Sequence, residues 1–274
     1  ILTMTIKSRN RVTLAFFIIA TVIFGLSFLF TLYLIFTDKL IFPQIDLTGL
    51  STSTFLAFNQ TCLLISIFLE MAYVCTTSFI ILKSFEKTQA TDMLFFLLFL
   101  LACLFDCAKL MLPIFGISGT FSDLLIKIGN ATLFARLVAP MALFGTTILS
   151  TEEFKQYTDY NCLIIILTAG FFANFIPMNT SVILPNLSVS FSFFKIIKFF
   201  AFIVCFISII FVFFYARKND YSQLITIGFA LLCTGYSIQF NSYSIISTIA
   251  APIILTAGTV IYLTEVHRHY LWVD

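Results

Sequence analysis

Apolar residues run along this chain in long blocks instead of forming the single stripe of an amphipathic helix. One block covers residues 12–36, and comparable blocks recur, with short polar interruptions, as far as residue 264. A helix that is apolar on every side has lipid or protein on every side. Crossing a bilayer takes about 20 residues, and on that measure spans are predicted at 12–36, 55–82, 93–115, 124–150, 161–177, 194–216, 222–240 and 244–264. The reading is an all-α, polytopic helical membrane bundle of about eight transmembrane helices, a single transmembrane domain over 1–274 with no soluble domain. The last pair rests on one turn. Residues 222–264 are about twice one span in length, and Asn241-Ser242 is the polar break within them. Without that turn the count is seven and the C-terminus changes sides.

Composition agrees with lipid as the solvent. The chain is 60% hydrophobic and only 10% charged, against about 25% charged in soluble domains. A net charge of +2, with the basic residues scattered between helices, excludes nucleic acid as a partner. The bilayer is the expected partner, together with a small solute or lipid ligand or another membrane protein. Cys62, Cys75, Cys103, Cys107, Cys162, Cys205 and Cys233 all fall inside apolar segments, where thiols pack as small hydrophobes and no disulfide framework is expected. Cys103 and Cys107 share a helix face but have no His or second Cys pair nearby, so no metal is expected. Lys7, Arg9 and Arg11 before the first block resemble the charged start of a signal sequence. The block exceeds the 7–15 residues of a signal core, and no Ala-x-Ala follows it. A retained first span is the reading.

Short loops rich in Lys and Arg stay cytoplasmic. With the N-terminus inside, that side carries Lys7, Arg9, Arg11, Lys83, Lys87, Lys155, Arg217, Lys218 and Arg268, while Lys39, Lys109, Lys127, Lys195 and Lys198 lie at or toward the outside. The balance predicts both termini cytoplasmic in a multi-pass protein. The longer polar connection at 177–192 is then outside, and it contains the sequons Asn179-Thr180-Ser181 and Asn186-Leu187-Ser188. A pattern Ala-Pro-x-x-Leu-x-x-x-Thr, ending on Glu six residues later, runs from Ala139 to Glu153 and again from Ala251 to Glu265. It suggests a 4+4 parallel repeat of the kind found in transporter folds. Pro140 and Pro252 each remove a backbone donor, freeing the carbonyls of Arg136 and Thr248 and predicting kinks.

An ionisable side chain at mid-membrane costs at least about 2.5 kcal/mol, so each one marks a functional hypothesis. Four stand out: Glu70, Asp106, Lys109 and Arg136. Asp106 and Lys109, three apart, can pair on one face. Arg136 then pairs with Glu70, or takes Asp106 and leaves Glu70 free to titrate. If residues 120–130 form an interfacial helix, Arg136 sits only about 9 Å inside the outer edge. The bland reading is a neutral cluster that locks three helices together; the functional one is a substrate or ion site. Lys195 and Lys198 share a face at the outer start of the sixth span, suited to anchoring or to anionic head-group contacts. Gln239, Asn241, Ser244, Ser247 and Thr248 form a milder polar set, accounted for by capping and interhelical hydrogen bonds. His267, His269, Tyr270 and Trp272 suit the interface.

No His lies inside a span, which removes bis-histidine haem ligation, and the last two spans have no Lys for a retinal Schiff base. No phosphate loop or zinc motif is present, so no cofactor and no catalytic residues are expected, and enzymatic activity is disfavoured. The leading expectation is a transporter or permease-like protein for a small solute or lipid, working through the intramembrane charges. The alternative is a membrane-embedded sensory or assembly module acting through a partner protein. Activity is expected among the first four helices, with the last four as scaffold.

Overall fold

A computed structural model describes residues 6–47, 55–86, 92–117, 122–148, 158–218 and 222–272. Lys87, Glu153 and Lys155 lie outside the described residues, as do the side chains of Lys218, His269, Tyr270 and Trp272. The described chain is almost wholly helical: α1 (Ile6–Phe36), α2 (Gln60–Ser84), α3 (Asp92–Asp106), α4 (Ser122–Ile148), α5 (Thr158–Phe175), α6 (Phe194–Lys218), α7 (Leu224–Gln239) and α8 (Ile245–Trp272). Seven of the helical stretches are long and apolar enough to cross a membrane. Helix α7 has 16 residues, a rise of about 24 Å against the roughly 30 Å of a hydrocarbon core.

The polarity of the molecule is inverted relative to a water-soluble protein. Large apolar side chains such as Ile18, Leu29, Phe199 and Phe214 are exposed, whereas Glu70, Asp106, Lys109 and Arg136 are buried. Soluble domains bury charge only rarely and keep it at the surface. The innermost packing is made by α3 and α4, where Phe95, Phe96, Phe99, Leu100 and Leu143 have no exposed surface. Helix α1 lies at the edge, joined to α2 through Phe17 on Phe79 and Phe28 on Phe68.

Local chemistry sets several helix ends. Asn59 caps α2, its side chain accepting from Thr61 N and Cys62 N, so the helix starts at Gln60 and not near 55. Pro113 removes a donor and crowds the carbonyl of Lys109. Just before it, α3 tightens into a 3₁₀ turn, Cys107–Leu110, before one last turn, Met111–Ile114. Residues three apart nearly eclipse in such a turn, which brings Lys109 directly over Asp106. Helix α4 runs unbroken from Ser122, with no separate interfacial helix at 122–130. Arg136 is therefore about 21 Å along it at 1.5 Å per residue.

A β-hairpin occupies the connection between α5 and α6. Its strands β1 (Met178–Ile183) and β2 (Val189–Phe191) pair antiparallel, with Met178 opposite Phe191 and a bulge before Ile183. The hairpin belongs to one face of the bundle. There Asp46 N donates to Ile183 O (2.9 Å), Asn59 N donates to Tyr243 O (3.0 Å), and Asn186 Nδ2 donates to Phe240 O (2.7 Å). On the opposite face the start of α1 and the end of α8 meet at Phe85, whose carbonyl accepts from Arg9 and whose ring lies edge-on to His267 at 5.2 Å.

The chain reverses at Phe240–Ser244 into the closest helix pair of the fold, α7 against α8. A Cβ on Gly235 would stand 2.5 Å from Leu255 N, and one on Gly258 would run into Leu232 N. Small residues let membrane helices approach backbone to backbone, where dispersion supplies the association energy that the hydrophobic effect cannot supply in lipid. All seven cysteines are free.

Candidate functional site

The four buried charges converge from α2, α3 and α4. Lys109 Nζ lies 2.5 Å from Asp106 Oδ2 and 3.9 Å from Glu70 Oε2, and Arg136 Nε lies 3.8 Å from Asp106 Oδ1. Asp106 thus takes both cations. Glu70 is neither paired with Arg136 nor free: Gln239 Nε2 on α7 donates to its Oε2 at 3.2 Å, and also to Ser66 O and Oγ at 3.1 Å each. Two acids and two bases leave the cluster formally neutral. A buried charge without a counter-charge is far more expensive than a neutral pair.

Arg136 is the most deeply held member. It is 1% exposed, and its guanidinium carbon sits 4.0 Å over the Phe240 ring, with Phe191 and Phe194 at 5.8 and 6.0 Å. An arginine over an aromatic face gains an electrostatic attraction that grows as the pair is desolvated. Among the described residues none of its three nitrogens has a hydrogen-bond partner, nor has Asp106 Oδ1. A buried donor left unpaired costs about 1–3 kcal/mol, more for a charged group, so the guanidinium is under-satisfied as well as enclosed.

Its open side is a cavity of about 90 Å³ between α4, α6 and α7, lying toward the hairpin face. Phe191, Phe194, Phe202 and Phe240 supply the walls, and Lys198, with its Nζ 3.5 Å from Asn241 Oδ1, stands at the rim. Lys195, one turn earlier and likewise exposed, is not part of that wall. A second cavity, of about 350 Å³, lies toward the opposite face between α2 and α8, lined by Tyr73, Thr77, Ser84, Thr259 and His267. Tyr73, one turn below Glu70, closes its inner end with a 2.8 Å hydrogen bond to Thr259. From Tyr236 at the first cavity, rings pass through Phe99 and Phe96 to Tyr262 at centroid spacings of 5.6, 5.7 and 6.0 Å.

Sequence reasoning picked out the four charges but not what surrounds them. Gln239, assigned to general interhelical bonding, reaches specifically across to Glu70. Helices α6 and α7 form most of the lining of the Arg136 cavity. The cage of Phe191, Phe194 and Phe240 carried no signal in a chain with 36 Phe. Of the two sequons, Asn179 is exposed, whereas Asn186 is buried, its Nδ2 committed to Phe240 O and its Oδ1 to Ser188. Among the described residues no three His, Cys, Asp or Glu side chains gather as a metal site.

The fold is that of a multi-pass helical membrane protein with an ionic cluster in its interior. No family model, no curated protein and no solved structure matches the chain.

Proposed function

We propose that this protein is a transporter or permease-like protein that moves a small solute or lipid, with Glu70, Asp106, Lys109 and Arg136 as its substrate-handling cluster and both termini cytoplasmic. The observation that carries the reading is the position of the cluster between two cavities: Arg136 lines the one on the hairpin side, and Tyr73, one turn from Glu70, lines the one toward the opposite face. Alternating access requires a site near the middle of the membrane that each side reaches in turn. Ionisable groups inside a membrane protein commonly mark such a pathway. Pro140 adds a mobile element, because the carbonyl of Arg136 lacks its helical donor and α4 can bend there.

The repeated pattern supports the reading. Ala139 and Ala251, Leu143 and Leu255, and Thr147 and Thr259 are buried at equivalent positions of α4 and α8. Under a 4+4 parallel arrangement these two proline-containing helices are counterparts, one beside each cavity.

The test is flux. Purified protein in liposomes is presented with labelled organic anions, cations and neutral solutes, and at least one is taken up. Glu70→Gln and Asp106→Asn each abolish that uptake. Unchanged flux in both variants sinks the role of the carboxylates, and absence of all uptake, with a membrane protein co-purifying, favours the sensory or assembly module.

A further inference from the structure

The Arg136 cavity has a composition that selects its occupant. Its floor is a buried guanidinium whose Nη1 and Nη2 lack partners, while Asp106 approaches only the Nε edge. Both nitrogens that form the outer fork are therefore buried and uncommitted among the described residues. A planar fork of this kind matches the two oxygens of a carboxylate, where an ammonium would offer a point charge. Among the described residues no acidic side chain lines the cavity, and Lys198 at the rim adds a second positive charge. The occupant is an anion.

Size and exit then narrow the class. A volume of about 90 Å³ is well below the roughly 150 Å³ of an engineered apolar cavity that takes one benzene. It holds a carboxylate with its first methylenes and is too small for a sugar ring or a diacyl phospholipid head. Four phenylalanines line the space, so the part of the ligand beyond its head is apolar. The mouth lies between α6 and α7 at Phe202, which is 63% exposed, and Ser237, also exposed. Phe202 stands about 12 Å along α6 at 1.5 Å per residue, within the apolar span and not at its end. A tail leaving there enters hydrocarbon, not water.

We infer that this cavity binds a single-chain fatty acid, its carboxylate on the Arg136 fork and its tail passing between α6 and α7 into the bilayer. Lys198 draws the head toward the mouth. The inference names a substrate class for the transport reading and rests on that reading for any movement after binding, so binding is measured apart from flux.

Full-length protein in dodecyl maltoside is titrated with palmitate carrying ¹³C at the carboxyl carbon. Wild-type protein is expected to give one saturable bound resonance, displaced by oleate and not by millimolar acetate. Arg136→Lys keeps the charge beside Asp106 but loses the fork, and Ala201→Trp fills the mouth without touching the cluster. Each is expected to weaken binding about ten-fold or more. Size-exclusion elution matching wild type reports folding; if Arg136→Lys fails to fold, Ala201→Trp decides alone.

Wild-type affinity in a folded Ala201→Trp variant overturns the inference, as does displacement of palmitate by acetate, which would mark a site for small water-borne anions. Palmitate binding without uptake of any solute leaves the inference standing and removes transport. Uptake that depends on Glu70, with no palmitate bound, does the reverse.

Discussion

Asp106 is the hinge of the charge balance, because among the described residues it alone approaches both cations: Lys109 directly and Arg136 at 3.8 Å. Asp106→Asn leaves Lys109 and Arg136 buried with Glu70 as their only counter-charge among the described residues, 3.9 Å from Lys109. Two unit charges 3.8 Å apart interact by about 4 kcal/mol at an effective dielectric constant of 20, and breaking one partner of a buried pair typically costs about 3–5 kcal/mol. Asp106→Asn is accordingly expected to destabilise the protein by about 3–5 kcal/mol. Adding Arg136→Gln removes the stranded cation and returns the cluster to neutrality as Glu70 with Lys109. The double variant is therefore expected to be more stable than Asp106→Asn alone, with a coupling energy of about 2–4 kcal/mol. The assay is reversible unfolding by dodecyl sulfate titrated into mixed micelles, followed by circular dichroism, on wild type, both single variants and the double. A double variant no more stable than Asp106→Asn would refute the ion-pair account, leaving the 3.8 Å approach a matter of packing alone.

Gly258→Leu places a side chain into the backbone of α7 at Leu232; a loss of about 3 kcal/mol or more, or failure to fold, is expected in the same unfolding assay, and near-wild-type stability would deny the close approach. Gln239→Leu withdraws the amide from Glu70 and Ser66, with an expected cost of about 1–3 kcal/mol and a matching loss of uptake. In a glycosylating host, Asn179 is expected to accept a glycan and Asn186 to stay bare, read from gel shifts of Asn179→Gln and Asn186→Gln. Lys39→Cys and Arg268→Cys are expected to react with impermeant maleimide from opposite sides of sealed vesicles, Lys39→Cys from outside; labelling of both from one side would contradict the proposed topology.

Much of this protein is legible in one dimension. Whether a stretch of about 20 residues prefers lipid to water is a sum over its own side chains, so the helices of the bundle lie close to the apolar blocks, and Asn241-Ser242 falls in the reversal between α7 and α8. The cost of charge in hydrocarbon is equally local, and it drew attention to Glu70, Asp106, Lys109 and Arg136 without any knowledge of their neighbours. The partners of those charges depend on how each helix is rotated and at what depth it meets the next. Helices apolar on all sides carry no stripe that records their rotation. Only the tertiary structure could therefore decide that Asp106 holds both cations, that Gln239 crosses some 169 positions of sequence to reach Glu70, and that the hairpin brings Phe191 beside Arg136. Composition placed the four charges in the first four helices, whereas packing placed α6 and α7 around the guanidinium of Arg136.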